Sequence, residues 1–177
     1  MKQYNEIKIN DPSELFSPIF MSYLNIDEFK VFASKCIDLN CTNLECMQLI
    51  HYACIDNNLE LVKYLVEKSV DVNCANIFGW RPIHYAYYKD YEALELVKYL
   101  VEKGADVNCI DGNGQHPIHN VCMRIDKSLE LVKYLVEKGA DVNCVDRLDE
   151  QPIHRACGCA ESLELVKYLI EKGADVN

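Results

Sequence analysis

The sequence predicts an all-α solenoid of helix-turn-helix pairs that are joined by β-hairpin loops. A ten-residue segment, LELVKYLVEK or LELVKYLIEK, recurs at intervals of 35, 35 and 34 residues. An Ile-His pair precedes every copy, and the tripeptide DVN follows it. Such a period is typical of solenoids, in which each repeat buries its apolar face only against its neighbours. The copies of the segment begin at Leu59, Leu94, Leu129 and Leu163.

The first helix of each unit begins at the residue before Ile-His. In three units that residue is a proline, at Pro82, Pro117 and Pro152. Proline is favoured in the first turn of a helix, because its missing N–H would have no partner within the helix. We therefore expect four short first helices, the earliest of them beginning near Leu49.

The ten-residue segment forms the second helix of each unit. In the second copy, Leu96, Val97 and Leu100 recur at helical spacing and form one apolar stripe. Glu95 and Lys98 lie on the opposite face of the same helix. The pattern predicts a helix whose apolar stripe packs against neighbouring units and whose charged face meets solvent.

A single residue column marks the end of the second helix. It holds Gly104, Gly139 and Gly173 in the later units, and helices commonly end at a left-handed residue, which is usually glycine. Ser69 and Cys36 occupy this column in the earlier units. A left-handed residue other than glycine costs about 1 kcal/mol. We therefore predict that Ser69→Gly raises the stability of the protein.

These motifs resemble the ankyrin repeat, which combines a T-P-L-H-x-A motif with two helices and a β-turn. The resemblance covers nearly the whole chain, with P-I-H-x-A at residues 82–86 and 152–156 and G-A-D-V-N at 104–108, 139–143 and 173–177. It implies a structural, hydrogen-bonding role for the motif histidine. It also implies that partners bind a concave side formed by hairpin tips and first helices. The motif threonine is replaced by Gln48, Arg81, His116 and Gln151.

The repeats divide the chain into six parts. The segment from Ile26 to Lys30 aligns with the second helix that begins at Leu59, and Asp11-Pro12 has the residues of a helix start. A degenerate capping repeat is therefore expected, since terminal repeats are usually atypical. The last helix is as apolar as the internal ones, which predicts that the chain is a fragment of a longer array. The expected parts are an N-terminal tail at 1–11, the capping repeat at 12–41, ankyrin repeats at 42–74, 75–109 and 110–144, and an incomplete repeat at 145–177.

Composition and charge argue against several kinds of partner. The net charge of −10 argues against binding to nucleic acid or to anionic lipid, because both attract cationic surfaces. The N-terminus has no apolar segment of a secretory signal, and no apolar stretch approaches the ~18 residues of a membrane span. We expect a cytoplasmic protein, with the nucleus left open, whose ten cysteines are reduced.

Histidine and cysteine are the residues that a metal or redox site would use. Successive motif histidines are one repeat apart, about 10 Å, whereas zinc ligands lie ~2.0–2.3 Å from one ion. We therefore interpret these histidines and the periodic cysteines as core residues, and we expect neither a metal nor a cofactor. Cys157 and Cys159 do not follow the period, so weak metal or redox reactivity stays open there. The motif histidines are His51, His84, His119 and His154.

No pattern in the sequence supports catalysis or a small-molecule substrate. A nucleophile elbow, a phosphate-binding loop and an H-E-x-x-H motif are all missing. We therefore expect a non-catalytic module that binds a protein. Two alternatives remain: a regulatory or targeting segment of a larger enzyme, such as a ligase or kinase, cut off at Asn177, and a metal- or redox-responsive protein that uses its cysteines.

The non-periodic residues of the expected concave side are the candidate binding residues. The second repeat concentrates aromatic side chains at Phe78, Trp80 and Tyr88, and exposed aromatic clusters are typical of interaction sites. The alternative is that Phe78 and Trp80 fold down against the adjacent hairpin. The full set of candidates is Ile77, Phe78, Trp80, Tyr88, Lys89, Asn113, Gln115, Met123, Arg124, Arg147, Leu148 and Glu150.

Overall fold

A computed structural model describes residues 26–33, 38–87, 93–124, 128–158 and 162–176 of the chain. The predicted tail and the predicted helix start at Asp11 lie outside the described residues, as do Cys36 and Asn177. The regular elements of the described ranges are all helices, which confirms the all-α prediction. They are α1 (Ile26–Ala33), α2 (Leu49–Ile55), α3 (Leu59–Glu67), α4 (Pro82–Tyr85), α5 (Ala93–Glu102), α6 (Pro117–Cys122), α7 (Ser128–Glu137), α8 (Pro152–Cys157) and α9 (Leu163–Glu171).

The helices form a row of pairs in which first helices pack on first helices and second helices pack on second helices. Each first helix contacts the next first helix, so α2, α4, α6 and α8 make one layer. The second helices α5, α7 and α9 make a second layer in the same way. The two helices of one repeat also contact each other in three pairs, which are α2 with α3, α6 with α7, and α8 with α9. This arrangement is the stack that the sequence period predicts.

The core repeats with the same period as the sequence. Ile50, Ile83 and Ile118 are fully buried in successive first helices. Leu100 and Leu135 are fully buried at matching positions of the second helices. Each such side chain contributes about 1.5–3 kcal/mol by leaving water. Because each first helix also packs on the next first helix, the stability of the protein depends on the repeats being in register.

The second helices end as the glycine column predicts. Gly104 has a φ of +92°, and Ser69 shares its left-handed conformation with a φ of +64°. The Gly104 N–H donates to the Val101 carbonyl, and the next N–H donates to the Leu100 carbonyl, which is a Schellman termination. The same two bonds are present around Ser69, so the prediction of its conformation is confirmed.

Hairpin loops connect the helix pairs and lie side by side along the row. In the second hairpin the Asn76 N–H donates to the Trp80 carbonyl at 3.0 Å. Successive hairpins are also joined, because the Gly112 N–H donates to the Phe78 carbonyl at 2.6 Å. The equivalent bond joins the first hairpin to the second at 3.0 Å and the third to the fourth at 3.1 Å. The loop tips are therefore held in a continuous ribbon.

An asparagine clamp joins each of the first three DVN segments to the following repeat. The Asn108 side chain donates to the Gly139 carbonyl at 2.8 Å and accepts from the Asp141 N–H at 3.0 Å. Asn73 and Asn143 make the same two bonds one repeat earlier and one repeat later. The asparagine of the motif thus connects neighbouring repeats through their backbones.

Candidate functional site

The motif histidines have a structural, hydrogen-bonding role at the start of the first helices, as the family resemblance implies. In His119, Nδ1 accepts from the N–H of His116, the residue that caps its helix, at 3.2 Å. Nε2 bonds the Glu150 carbonyl of the next repeat at 2.9 Å, which requires the tautomer with hydrogen on Nε2. His51 makes the same pair of bonds, to Gln48 and to the Cys74 carbonyl. These imidazoles are therefore committed to backbone partners.

Burial favours the neutral form of three of the motif histidines. His51, His84 and His119 are fully buried, whereas His154 in the last repeat is exposed. Desolvation lowers the pKa of His84 to about 4, and it also lowers the pKa of His51 and His119. A neutral ring is what this role needs, because a protonated Nδ1 could not accept the N–H at the start of its helix.

The periodic cysteines lie beside these histidines but are poor nucleophiles. The Cys109 sulfur lies 3.7 Å from Nε2 of His84, and the Cys144 sulfur lies equally close to the His119 ring. Burial raises the pKa of both thiols to about 12, so almost none of the reactive thiolate is present at neutral pH. Cys157 is exposed, and its predicted companion Cys159 lies outside the described residues.

The described part of the chain shows neither a metal cluster nor a membrane span. Among its residues, no three or more His, Cys, Asp or Glu side chains are placed to hold one metal ion. No described helix is both long enough and apolar enough to cross a bilayer.

The hairpin loops and the first helices, together called the hairpin face, expose several large apolar side chains. Leu148 in the fourth hairpin is 74% exposed, while Ile77 and Phe78 in the second are 58% and 53% exposed. Leu44 in the first hairpin is fully exposed, and Met123, just after α6, is about half exposed. Because successive hairpin loops are hydrogen-bonded to one another, the backbone that carries the apolar side chains of the hairpins is ordered.

Trp80 lies differently from its neighbour Phe78. Its indole packs against the Tyr85 ring at 5.1 Å between centroids and against His84 at 6.1 Å, so that it is only partly exposed. It therefore packs onto the first helix of its own repeat. Tyr88 and Lys89 lie outside the described residues, so the predicted aromatic cluster is described only at Phe78 and Trp80.

The remaining candidate residues are distributed along the third and fourth repeats. Asn113 and Arg147 are exposed at the hairpin tips. Gln115 and Arg124 are partly exposed, and so is Glu150, which pairs with the Arg155 guanidinium at 3.0 Å. The described candidates thus lie in three neighbouring hairpins and directly after α6, on the hairpin face.

A polar pair at the base of three of the hairpins was not predicted from the sequence. The buried Asp146 carboxylate accepts from the backbone N–H groups of Leu148 and Glu150 and from Arg155 at 2.6 Å. Burial opposes its ionisation, but these hydrogen bonds outweigh burial and lower the pKa of Asp146 to about 2. Asn76 makes the corresponding bonds and pairs with Tyr85. The constant spacing of nine residues between the two partners is the signal that could have revealed the pair.

The third repeat has the same two positions but a different arrangement. One carboxylate oxygen of Asp111 is buried without a hydrogen bond, and Asn120 replaces the longer Tyr85 or Arg155 of the neighbouring repeats. Tyr87 of the preceding repeat is buried at a position where the other repeats have a cysteine. The large Tyr87 of the second repeat therefore accompanies the smaller Asn120 of the third repeat.

The outer face, formed by the second helices, is nearly the same in every repeat. The Lys103 ammonium lies 5.5 Å from the Tyr99 ring centre, and Lys63 of the preceding repeat lies 5.8 Å from it. Lys172 and Lys133 flank Tyr168 in the same way. The hairpin face varies from repeat to repeat and the outer face does not, so the hairpin face contains most of what distinguishes this chain.

The sequence was compared with known protein families and with curated proteins. The family model described as ankyrin repeats (3 copies) matches residues 21–111 and 90–177. The two matches together cover the chain from residue 21 to its last residue. None of the curated proteins matches it.

Proposed function

Because the chain belongs to the ankyrin repeat family, we propose that it is a non-catalytic module that binds a partner protein through its hairpin face. Ankyrin repeats are generally protein-interaction modules and are typically not catalytic. The observation that supports the choice of face is the group of exposed apolar side chains at Ile77, Phe78 and Leu148. Exposed apolar side chains gathered on one side of a folded protein are typical of an interaction site.

The order of the hairpin face favours binding without large rearrangement. Asn76, Asp111 and Asp146 each accept two backbone N–H groups of their own hairpin. Each loop is also hydrogen-bonded to the next. A surface that is already ordered loses little conformational entropy on binding, so more of the interaction free energy remains as affinity.

Trp80 is proposed to support the surface more than to contact the partner directly. Its ring packs on Tyr85 and His84, both of which belong to α4. Replacing it would therefore disturb the hairpin as well as any contact. Phe78 and Leu148 are better probes, since each is more than half exposed.

Site-specific photocrosslinking tests this proposal. A benzophenone amino acid is placed at Phe78 or Leu148 on the hairpin face, and at Lys98 or Lys133 on the outer face as matched controls. We expect discrete protein adducts from the hairpin positions in cells of the source organism, and few or none from the outer positions. Adducts formed only from the outer positions would assign binding to the other face and refute the proposal.

A further inference from the structure

We propose that Asn113, at the tip of the third hairpin, is a site of spontaneous modification at which the side-chain amide is converted to a carboxylate. The products are aspartate and isoaspartate, and the hairpin controls the rate. The inference goes beyond the proposed function, because the reaction needs neither an enzyme nor a partner protein. Three observations support it: the glycine that follows Asn113, the exposure of the tip, and the hydrogen bonds that close the hairpin.

The residue that follows Asn113 sets it apart from the other asparagines. Among the asparagines before Asn177, it is the only one followed by glycine. A backbone nitrogen attacks the amide carbon of the preceding side chain most readily when no Cβ crowds it, and glycine is the residue without a Cβ. Asn113 is also exposed, so that hydroxide and water reach it and ammonia can leave. Three other described asparagines are exposed but precede a cysteine, and these are Asn40, Asn108 and Asn143.

The reaction balances with water as the only co-reactant. The Gly114 nitrogen gives its proton to hydroxide and forms a bond to Cγ of Asn113. The bond between Cγ and Nδ2 then breaks, and the nitrogen leaves as ammonia after taking a proton from water. Water opens the resulting succinimide ring at one of its two carbonyl carbons. Opening at Cγ gives aspartate, and opening at the backbone carbonyl carbon gives isoaspartate, in which the chain continues through Cγ.

The folded hairpin restrains this reaction because it holds the attacking nitrogen. The Gly114 N–H donates to the Asp111 carbonyl at 2.9 Å. The Asp111 carboxylate accepts the N–H groups of Asn113 at 2.7 Å and of Gln115 at 2.9 Å. The nitrogen is released when these bonds open, and surface loops open locally at a low cost in free energy. The rate of conversion therefore follows how often the third hairpin opens.

Both products change the hairpin face. The Asn113 carbonyl accepts the Arg147 N–H at 3.1 Å, and this bond joins the third hairpin to the fourth. Isoaspartate adds one carbon atom to the backbone here and turns the original carbonyl into a free carboxylate, so the link is expected to weaken. Aspartate keeps the backbone but adds a negative charge two residues from Asp111. Conversion therefore alters order and charge between the hairpins that carry Phe78 and Leu148.

Peptide mapping by mass spectrometry, after incubation of the full chain at mildly alkaline pH, tests the inference. A synthetic peptide of residues 108–118 gives the rate without a fold, and Asn113→Gln is the control, because glutamine would have to close a larger ring. We expect the wild type to be converted at position 113 at least about tenfold faster than at the exposed asparagines that precede cysteine. We also expect the folded chain to react more slowly than the peptide and to reach the rate of the peptide in unfolding urea.

Asp111→Ala tests the control by the hairpin, once circular dichroism has shown that its helices are retained. It removes the carboxylate that accepts two N–H groups of the loop, so conversion at Asn113 should accelerate about tenfold. Converted protein, separated by its charge, should show faster hydrogen exchange of the Arg147 amide than unconverted protein.

Three results would overturn the proposal. An unmodified Asn113 after the peptide has been fully converted would show that the site does not react in the folded chain. Equal conversion at the asparagines that precede cysteine would remove the role of Gly114. A folded wild type that reacts as fast as the peptide, together with an Asp111→Ala variant that reacts no faster, would refute control by the hairpin.

Discussion

Ser69→Gly offers a direct test of how the repeats end. Ser69 has a φ of +64°, where a residue with a Cβ is strained, while Gly104, Gly139 and Gly173 occupy the same column in the later repeats. The helix around Ser69 ends with the same backbone bonds as the helix around Gly104. The substitution therefore changes the conformational cost of one residue and leaves the hydrogen bonds of the termination in place.

The expected gain is the difference between two opposing terms. Removing the Cβ relieves about 1–2 kcal/mol of left-handed strain. Glycine also adds about 0.4–1 kcal/mol of conformational entropy to the unfolded chain, which opposes the gain. The net expectation is that the free energy of unfolding rises by about 0.5–1 kcal/mol.

Urea denaturation followed by circular dichroism measures this difference. The reverse substitution, Gly104→Ser, is the matched control, because a Cβ added there meets no atom within 4 Å. This control changes the conformational energy of the backbone without creating a packing clash, so we expect it to lower the free energy of unfolding by a similar amount. An unchanged or lower urea midpoint for Ser69→Gly, with Gly104→Ser also neutral, would refute the argument from left-handed strain.

The remaining predictions concern buried polar groups and the asparagine clamp. Lowering the pH from about 6.5 to 4 should progressively destabilise the protein. The folded state holds the pKa of His84 near 4, whereas an unfolded histidine titrates near 6.5 and takes up the proton first; the loss approaches about 3 kcal/mol. A His84→Gln variant should show a smaller slope of urea midpoint against pH, and equal slopes would contradict this assignment. Arg155→Ala should cost about 3 kcal/mol in urea denaturation, because it leaves the buried Asp146 carboxylate without its cation. The exposed-pair control Lys167→Ala should cost less than about 0.5 kcal/mol, so comparable losses would argue against a buried pair. Asn108→Ala should cost about 1–2 kcal/mol through its two lost bonds to the next repeat, and unchanged hydrogen-exchange protection of the Asp141 amide would show that the clamp is not needed.

The helices and their boundaries could be predicted from the sequence because each depends on local rules. The second helices begin and end within one residue of the repeated segment, and the first helices begin at Pro82, Pro117 and Pro152 as predicted. The left-handed position of Ser69 followed from its alignment with glycines. The repeat boundaries proposed for the chain, including the capping repeat, stay predictions, although α1 begins at Ile26, where the alignment with Leu59 places it.

The candidate site was less predictable, because exposure depends on what a side chain meets in three dimensions. Phe78 and Trp80 lie two residues apart and are both aromatic, yet Phe78 meets solvent and Trp80 stacks on Tyr85. Whether these residues bind a partner stays a prediction. The pairing of Asp146 with Arg155 also escaped notice, since the two residues belong to a hairpin and a helix with no shared local motif.

The sequence by itself determined the repeat, the order of the helices and the residues that form the core, because periodicity and helix termination depend on residues that are close together along the chain. Only the tertiary structure decided which charges are neutralised and which side chains stay in water. Among the described residues it gave Arg147 no ion pair and gave Arg155 two carboxylates, although both arginines belong to the same repeat. The physical reason is that desolvation and ion pairing act over a few ångströms between segments that are distant along the chain.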